Sequence, residues 1–115
     1  RDTREKITVE KSDAIKTIKD LLIEIQHNLY DRALERRNSM LYNDVRSYSE
    51  LSDIAKNKPG FALVNWCGNT ECEDKIKDDL GLKSRCMPEN MSEPDGNCVV
   101  CGKPATTKIY FGKQY

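Results

Sequence analysis

Four of the five cysteines fall in two short-spaced pairs, Cys67 with Cys72 and Cys98 with Cys101, with twenty-five residues between the pairs. Each pair spans only enough chain for one tight turn, and two such turns facing each other gather four thiols round one point. A tetrahedral Zn²⁺ site is built in this way, with two thiolates from each turn. Gly68 and Gly102 directly follow Cys67 and Cys101. Backbone there must turn sharply if peptide N–H groups are to point at sulfur. The Cys98–Cys101 half with its trailing glycine is the more specific signal, and the wider Cys67–Cys72 half is looser. The competing assignments are two disulfides or unconnected buried thiols. A full disulfide framework would leave one of five cysteines over, and nothing in the sequence reads as a signal peptide that would imply an oxidising compartment. Metal ligation is the assignment carried forward. Four thiolates close the coordination shell, so the expected role is structural and not catalytic.

Such a staple suits a chain of 115 residues with only 37% apolar residues, because a core this modest is marginal by itself. We expect one domain, or one small domain with an attached arm. Lysine plus arginine equals aspartate plus glutamate at 19 each, which excludes a strongly basic nucleic-acid platform but leaves room for a local patch. No apolar run approaches the ~20 residues of a membrane span, and a soluble, cytoplasmic protein is expected. The sequence opens on Arg1 without an initiator Met and reads like the returning arm of a hairpin, so a fragment of a longer chain is expected.

Taken in order, residues 5–10 alternate as a short strand with Ile7 and Val9 on one face. Such a strand needs a partner, because a lone one is unstable. Ser12 is the expected N-cap of a helix running to Met40, with Asp13 in its first turn. Ile15, Ile18, Leu21, Leu22, Ile25, Leu29, Ala33 and Leu34 follow three- and four-residue steps along it. The opposite, charged face reads as solvated, and the lone His27 receives no role. Ser47 and Glu50 form a capping box for a short amphipathic helix that stops before Pro59 and Gly60. Residues 61–66 then read as a strand with both faces covered, running straight into Cys67. A second capping box from Thr70 to Glu73 predicts a helix to about Leu80, with Gly81 as C-cap. Residues 83–87 read as a strand stopped by Pro88, residues 88–97 as a loop, and residues 105–111 as a final strand. The predicted fold is α/β (α+β). A long N-terminal connecting helix precedes a small zinc-stapled α/β domain with a mixed sheet of about three strands.

Residues 61–77 (FALVNWCGNTECEDKIK), 85–88 (RCMP), 98–105 (CVVCGKPA) and 109–115 (IYFGKQY) together resemble the C-terminal zinc-binding domain of prolyl-tRNA synthetases. The resemblance is to the archaeal/eukaryotic-type enzymes, a type some bacteria share. Residues 1–7 (RDTREKI) resemble the last hairpin of that family's anticodon-binding domain, although Arg4 stands where such a turn commonly uses glycine. Residues 28–37 (NLYDRALERR) resemble its long connecting helix. The resemblance covers essentially the whole chain and implies three segments. Residues 1–11 would be the last strand of an upstream anticodon-binding domain, 12–58 connecting helices, and 59–115 the zinc-binding domain. It also implies that Cys67, Cys72, Cys98 and Cys101 ligate Zn²⁺ and that Cys86 does not. The carboxylate of Tyr115 would lie near the synthetase active site in a positioning role. The class II catalytic motifs, the ATP-binding arginines and the proline pocket would all lie upstream. The implied parent is a class II proline–tRNA ligase that uses ATP and Mg²⁺, acts on proline and tRNA(Pro), and forms a homodimer. The fragment alone would be non-catalytic.

Two other functions compete. One is a stand-alone zinc module contacting RNA or protein through Arg32, Arg36, Arg37, Lys83 or Arg85. The other makes Cys86 a reactive nucleophile activated by Arg85. The only histidine is far upstream, so no Cys–His pair is suggested. Cys86, next to Met87 on a predicted strand, reads instead as a small buried hydrophobe.

Overall fold

No proline or glycine interrupts the stretch from Ala14 to Ser39, and it forms one 26-residue helix, α1 (Ala14–Ser39). The computed structural model describes residues 3–113 and divides into two units, residues 1–39 and residues 40–115. In the first unit, Ser12 is not the N-cap expected of it. It lies inside a 3-10 turn, Lys11–Asp13, in which the Asp13 N–H donates to Glu10 O at 3.0 Å. The chain enters α1 through this tighter turn, a common device at helix starts. The apolar periodicity is helical as expected, yet α1 buries none of its side chains. Ile15, Ile18, Leu22, Ile23 and Leu29 are all more than half exposed. Residues 5–10, expected as a strand, are not one. They have no pairing strand among the described residues, and Ile7 and Val9 stay exposed. Arg4 does take the left-handed backbone, φ 62°, that its place in the sequence suggested for a glycine.

The second unit is a four-stranded mixed sheet with two helices. Its elements are β1 (Leu41–Val45), α2 (Tyr48–Asn57), β2 (Phe61–Trp66), α3 (Thr70–Leu80), β3 (Leu82–Cys86) and β4 (Thr107–Lys113). The sheet order is β1-β2-β4-β3. β1 runs parallel to β2, and β4 is antiparallel to both β2 and β3. The predicted α+β class holds, with one strand more than the three expected. The extra strand is β1, whose central Asn43 and Asp44 are poor strand formers. It exists because β2 offers it a parallel edge and α2 makes the crossover that parallel pairing needs. Gly60 permits the join. Its φ is 134°, the Phe61 N–H donates to Met40 O at 2.8 Å, and a Cβ at Gly60 would lie 2.0 Å from that same oxygen.

Local signals set the helix ends. The Ser47 capping box forms as read: Ser47 Oγ accepts from the Glu50 N–H at 3.2 Å, and the Glu50 carboxylate accepts from the Ser47 N–H at 3.3 Å. The second box does not form. Glu73 accepts a hydrogen bond from Ser84 Oγ on β3, and Asn69 caps α3 instead, its Oδ1 accepting from the Glu71 N–H at 2.9 Å. α3 ends at Gly81, as expected.

The core lies on one face of the sheet. Ala62 and Val64 of β2 stand opposite Phe111 and Ile109 of β4, and Val45, Leu82, Leu51, Ile54 and Ile76 close round them. The other face of β2 is only partly covered, against expectation. Phe61 remains 43% exposed at one end, while Asn65 is buried at the other. Cys86 is also not the buried hydrophobe expected; it is exposed. It ends the edge strand β3 beside exposed Met87, at a break in register against β4. An apolar neighbour in sequence gives no cover at a sheet edge.

Candidate metal centre

The end of β2 delivers Cys67, and the first turn of α3 delivers Cys72. Between them Gly68 takes φ 82°, and the Cys72 N–H donates to Asn69 O at 3.2 Å, closing the turn. Trp66 braces it by donating from Nε1 to the same carbonyl at 3.1 Å. The second turn is the tip of a narrow hairpin. The Cys98 N–H donates to Lys103 O at 2.8 Å, the Gly102 N–H to Cys98 O at 3.0 Å, and Asn97 bridges Pro104. Gly102 takes φ 70° just past Cys101. Two further bonds lay this hairpin on the end of β2: the Val99 N–H donates to Asn65 O at 3.2 Å, and the Thr106 N–H to Trp66 O at 2.9 Å.

The result brings together the four cysteines that the sequence singled out. Their sulfurs all lie within 4.8 Å of one another, and Cys67 Sγ is 3.6 Å from both Cys72 Sγ and Cys101 Sγ. Zn–S bonds of about 2.3 Å at tetrahedral angles place sulfurs about 3.8 Å apart, whereas a disulfide needs about 2.05 Å. All five cysteines are free thiols, so the spacing fits four ligands round a metal ion and not two cystines. Cys72 and Cys98 are buried, Cys67 is half-buried and Cys101 is exposed. Cys86 lies outside the cluster.

The electrostatics of the bare thiols fit the same chemistry. Burial, then the crowding of Cys67 and Cys101, pushes the Cys72 thiol up. At Cys67 the Asn69 N–H pulls down, but burial and the neighbouring Cys101 and Cys98 outweigh it and the thiol is raised. At Cys98 burial pushes up, and the N–H groups of Cys101, Val100 and Cys67 more than offset it, holding the thiol at about 7. The hairpin turn thus aims peptide donors at sulfur, as its glycine suggested. Charging all four sulfurs is unfavourable without a cation at their centre, and a divalent ion reverses that balance.

The sequence reading missed the polar contacts beside this centre. Asp95, in a loop recognised only by turn composition, accepts from Arg46 Nη2 at 3.0 Å, Lys108 Nζ at 3.1 Å and Asn65 Nδ2 at 3.3 Å. Nothing in the spacing of Asp95 marks it, since its partners come from three distant points in the chain. Tyr115, expected to have a positioning role, lies outside the described residues.

A family model described as the C-terminal part of prolyl-tRNA synthetase matches residues 48–115. Proline–tRNA ligase of Lachnospira eligens is 44% identical over the whole chain, and that of Clostridium novyi is 41% identical, also over the whole chain. The chain spans 24% of the length of each of these relatives. Among solved structures, the prolyl-tRNA synthetase of Cryptosporidium parvum complexed with L-proline and AMP superimposes with a TM-score of 0.81 and 28% identity. That match covers 96% of this chain and 24% of the other. These likenesses, of sequence over the full chain and of fold over nearly all of it, show that the chain belongs to the prolyl-tRNA synthetase family and carries its C-terminal domain.

Proposed function

We propose that this chain is the zinc-stapled C-terminal domain of a proline–tRNA ligase. It would support ATP-dependent attachment of proline to tRNA(Pro) by catalytic machinery elsewhere in the parent enzyme. The gathering of four thiols within 4.8 Å carries the structural half of this reading, and the family relationship carries the enzymatic half. Cys67, Cys72, Cys98 and Cys101 would hold Zn²⁺. Bound there, zinc supplies a closed cross-link between the end of β2, the start of α3 and the hairpin at 98–101, with no open position for substrate. ATP and Mg²⁺ would serve the parent enzyme only, which we place in the cytoplasm as a homodimer.

In this reading residues 1–11 complete the sheet of an upstream anticodon-binding domain, which explains an alternating sequence at residues 5–10 with no partner strand among the described residues. Residues 12–58 connect, and residues 59–115 form the zinc domain. The exposed apolar stripe of α1, including Ile15, Ile18 and Leu22, would pack on the upstream domains of the parent. Tyr115 would act as a positioning residue near the parent's active site. Metal analysis tests the first half: one zinc per chain is expected, and none overturns it. Full-length enzyme lacking Gln114 and Tyr115 tests the positioning role. Its kcat should fall while its thermal midpoint holds, since small displacements at a reacting centre are costly. Unchanged kcat removes that role. The 115-residue chain alone should catalyse no proline-dependent ATP–pyrophosphate exchange, and measurable exchange would contradict the division of labour.

A further inference from the structure

Two turns supply the four sulfurs, and they differ in how they are held. The Cys67–Cys72 turn joins β2 directly to α3, both part of the packed unit. The Cys98–Cys101 turn tips a hairpin reached through residues 88–96, which form neither helix nor strand. Where that irregular stretch enters the hairpin stands Asp95, three residues before Cys98. Its carboxylate is bound from three places: Arg46 just after β1, Asn65 on β2 and Lys108 on β4. Asn65 and Lys108 are direct cross-strand partners, so they present one face of the sheet, opposite the apolar core. Asn65 is 7% exposed, and the Lys108 side chain 14%. Lys108 also donates to Ser92 Oγ at 3.3 Å, gripping the same loop a second time. Asn65 holds the hairpin on both sides of Cys98, through its side chain to Asp95 and through its carbonyl to the Val99 N–H.

We propose that Asp95 is a positioning residue for the metal centre: it docks the hairpin carrying Cys98 and Cys101 onto the strand that carries Cys67, and so governs how long the metal is retained. The proposal rests on the reading of the four cysteines as a metal site. A single exposed ion pair contributes little to stability. Asp95, however, joins three bonds from three separate parts of the chain where an otherwise irregular loop meets the site. Its carboxyl is held down at about 2, first by the Lys108 and Asn65 bonds, so it is charged and bound at neutral pH. Freeing it lets the hairpin lift two of the four sulfurs away together. Loss of outer-shell contacts typically weakens metal sites 10–100-fold, and a contact one step further out belongs at the low end of that range.

The test uses the zinc-loaded 115-residue chain and follows zinc release to a chromogenic chelator. Asp95→Ala should still bind one zinc per chain but release it about tenfold faster. Asp95→Asn keeps an acceptor for Asn65 while losing the charge that Lys108 and Arg46 bind, and should fall between. Glu93→Gln, in the same loop, and Ile54→Val, a mild truncation on the opposite face of the sheet, should release zinc within twofold of the parent chain. Ile54→Val lowers the thermal midpoint without touching the hairpin, so it separates positioning from general stability. Release from Asp95→Ala within twofold of the unaltered chain overturns the proposal, as does equal acceleration in Ile54→Val. An unaltered chain that holds no zinc would overturn the metal reading itself, a result distinct from either.

Discussion

At the scale of single residues, the five cysteines divide by position and not by type. Cys67, Cys72, Cys98 and Cys101 share one cluster, and Cys86 stands exposed at the end of β3. Serine at any of the four cluster positions replaces a thiolate by a much poorer donor. Structural zinc in small domains contributes on the order of 10 kcal/mol, more than the ~3–5 kcal/mol that a core of this size supplies. Each of these four variants should therefore lose zinc and unfold across residues 61–111, as read by metal analysis and circular dichroism. Cys86→Ser should keep one zinc and shift stability by no more than about 0.5 kcal/mol, as for other surface substitutions. Zinc lost from Cys86→Ser and kept by Cys101→Ser would reverse the assignment. The gathering of these four thiols was legible because short spacing encodes a shared turn. The exposure of Cys86 was not, because burial at the end of an edge strand depends on what packs there. Asp95 was invisible for a related reason: its role exists only once β1, β2 and β4 lie side by side.

Among elements, those defined by their own residues were legible and those defined by a partner were not. α2 follows from Ser47, Glu50 and its apolar spacing. β1 carries almost no strand signal and forms through the parallel edge of β2, and residues 5–10 carry the signal but pair with no strand among the described residues. Gly60 is where the β1–β2 pairing is most exposed to mutation. An alanine there combines a disfavoured backbone with a Cβ driven onto Met40 O, so Gly60→Ala should cost about 2–4 kcal/mol. A thermal midpoint unchanged within error would contradict this. Between the helices, Tyr48 on α2 donates to Asp79 on α3 at 2.8 Å. Burial, and then the Asp79 bond and charge, push the Tyr48 phenol up to about 12. The folded value thus exceeds the ordinary value near 10. The contribution is full below pH 10 and is lost as pH climbs from 10 towards 12. In a tyrosinate absorbance titration, Tyr48→Phe should remove a phase that lies above pH 10. A titration curve whose late part is unchanged in Tyr48→Phe would show that the Tyr48–Asp79 bond does not hold in solution.

For the whole molecule, the division at residue 40 separates two kinds of stability. Residues 40–115 contain the entire apolar core, from Val45 to Phe111, and all four clustered cysteines. Residues 3–39 contain a 26-residue helix that buries nothing. An isolated helix of that length in water depends on propensity and side-chain pairs alone, and helical stability in proteins comes mostly from packing an apolar face. The stripe on α1 has the spacing of a packed face, but Ile15, Ile18, Leu22 and Leu29 stand exposed and Leu21, Ile25 and Leu34 are only half-buried. The second unit thus carries its own apolar core and its own cysteine cluster. A chain shortened to residues 40–115 should therefore fold and bind one zinc, as read by circular dichroism and metal analysis. The segment 1–39, made as a peptide, should be mostly unfolded by circular dichroism at 25 °C, because nothing repays the entropy of ordering its backbone. A metal-free or unfolded 40–115 chain would mean that this core and cysteine cluster do not suffice by themselves. A fully helical 1–39 peptide would mean that α1 needs no partner, which removes the physical reason for assigning its apolar stripe to the rest of the synthetase.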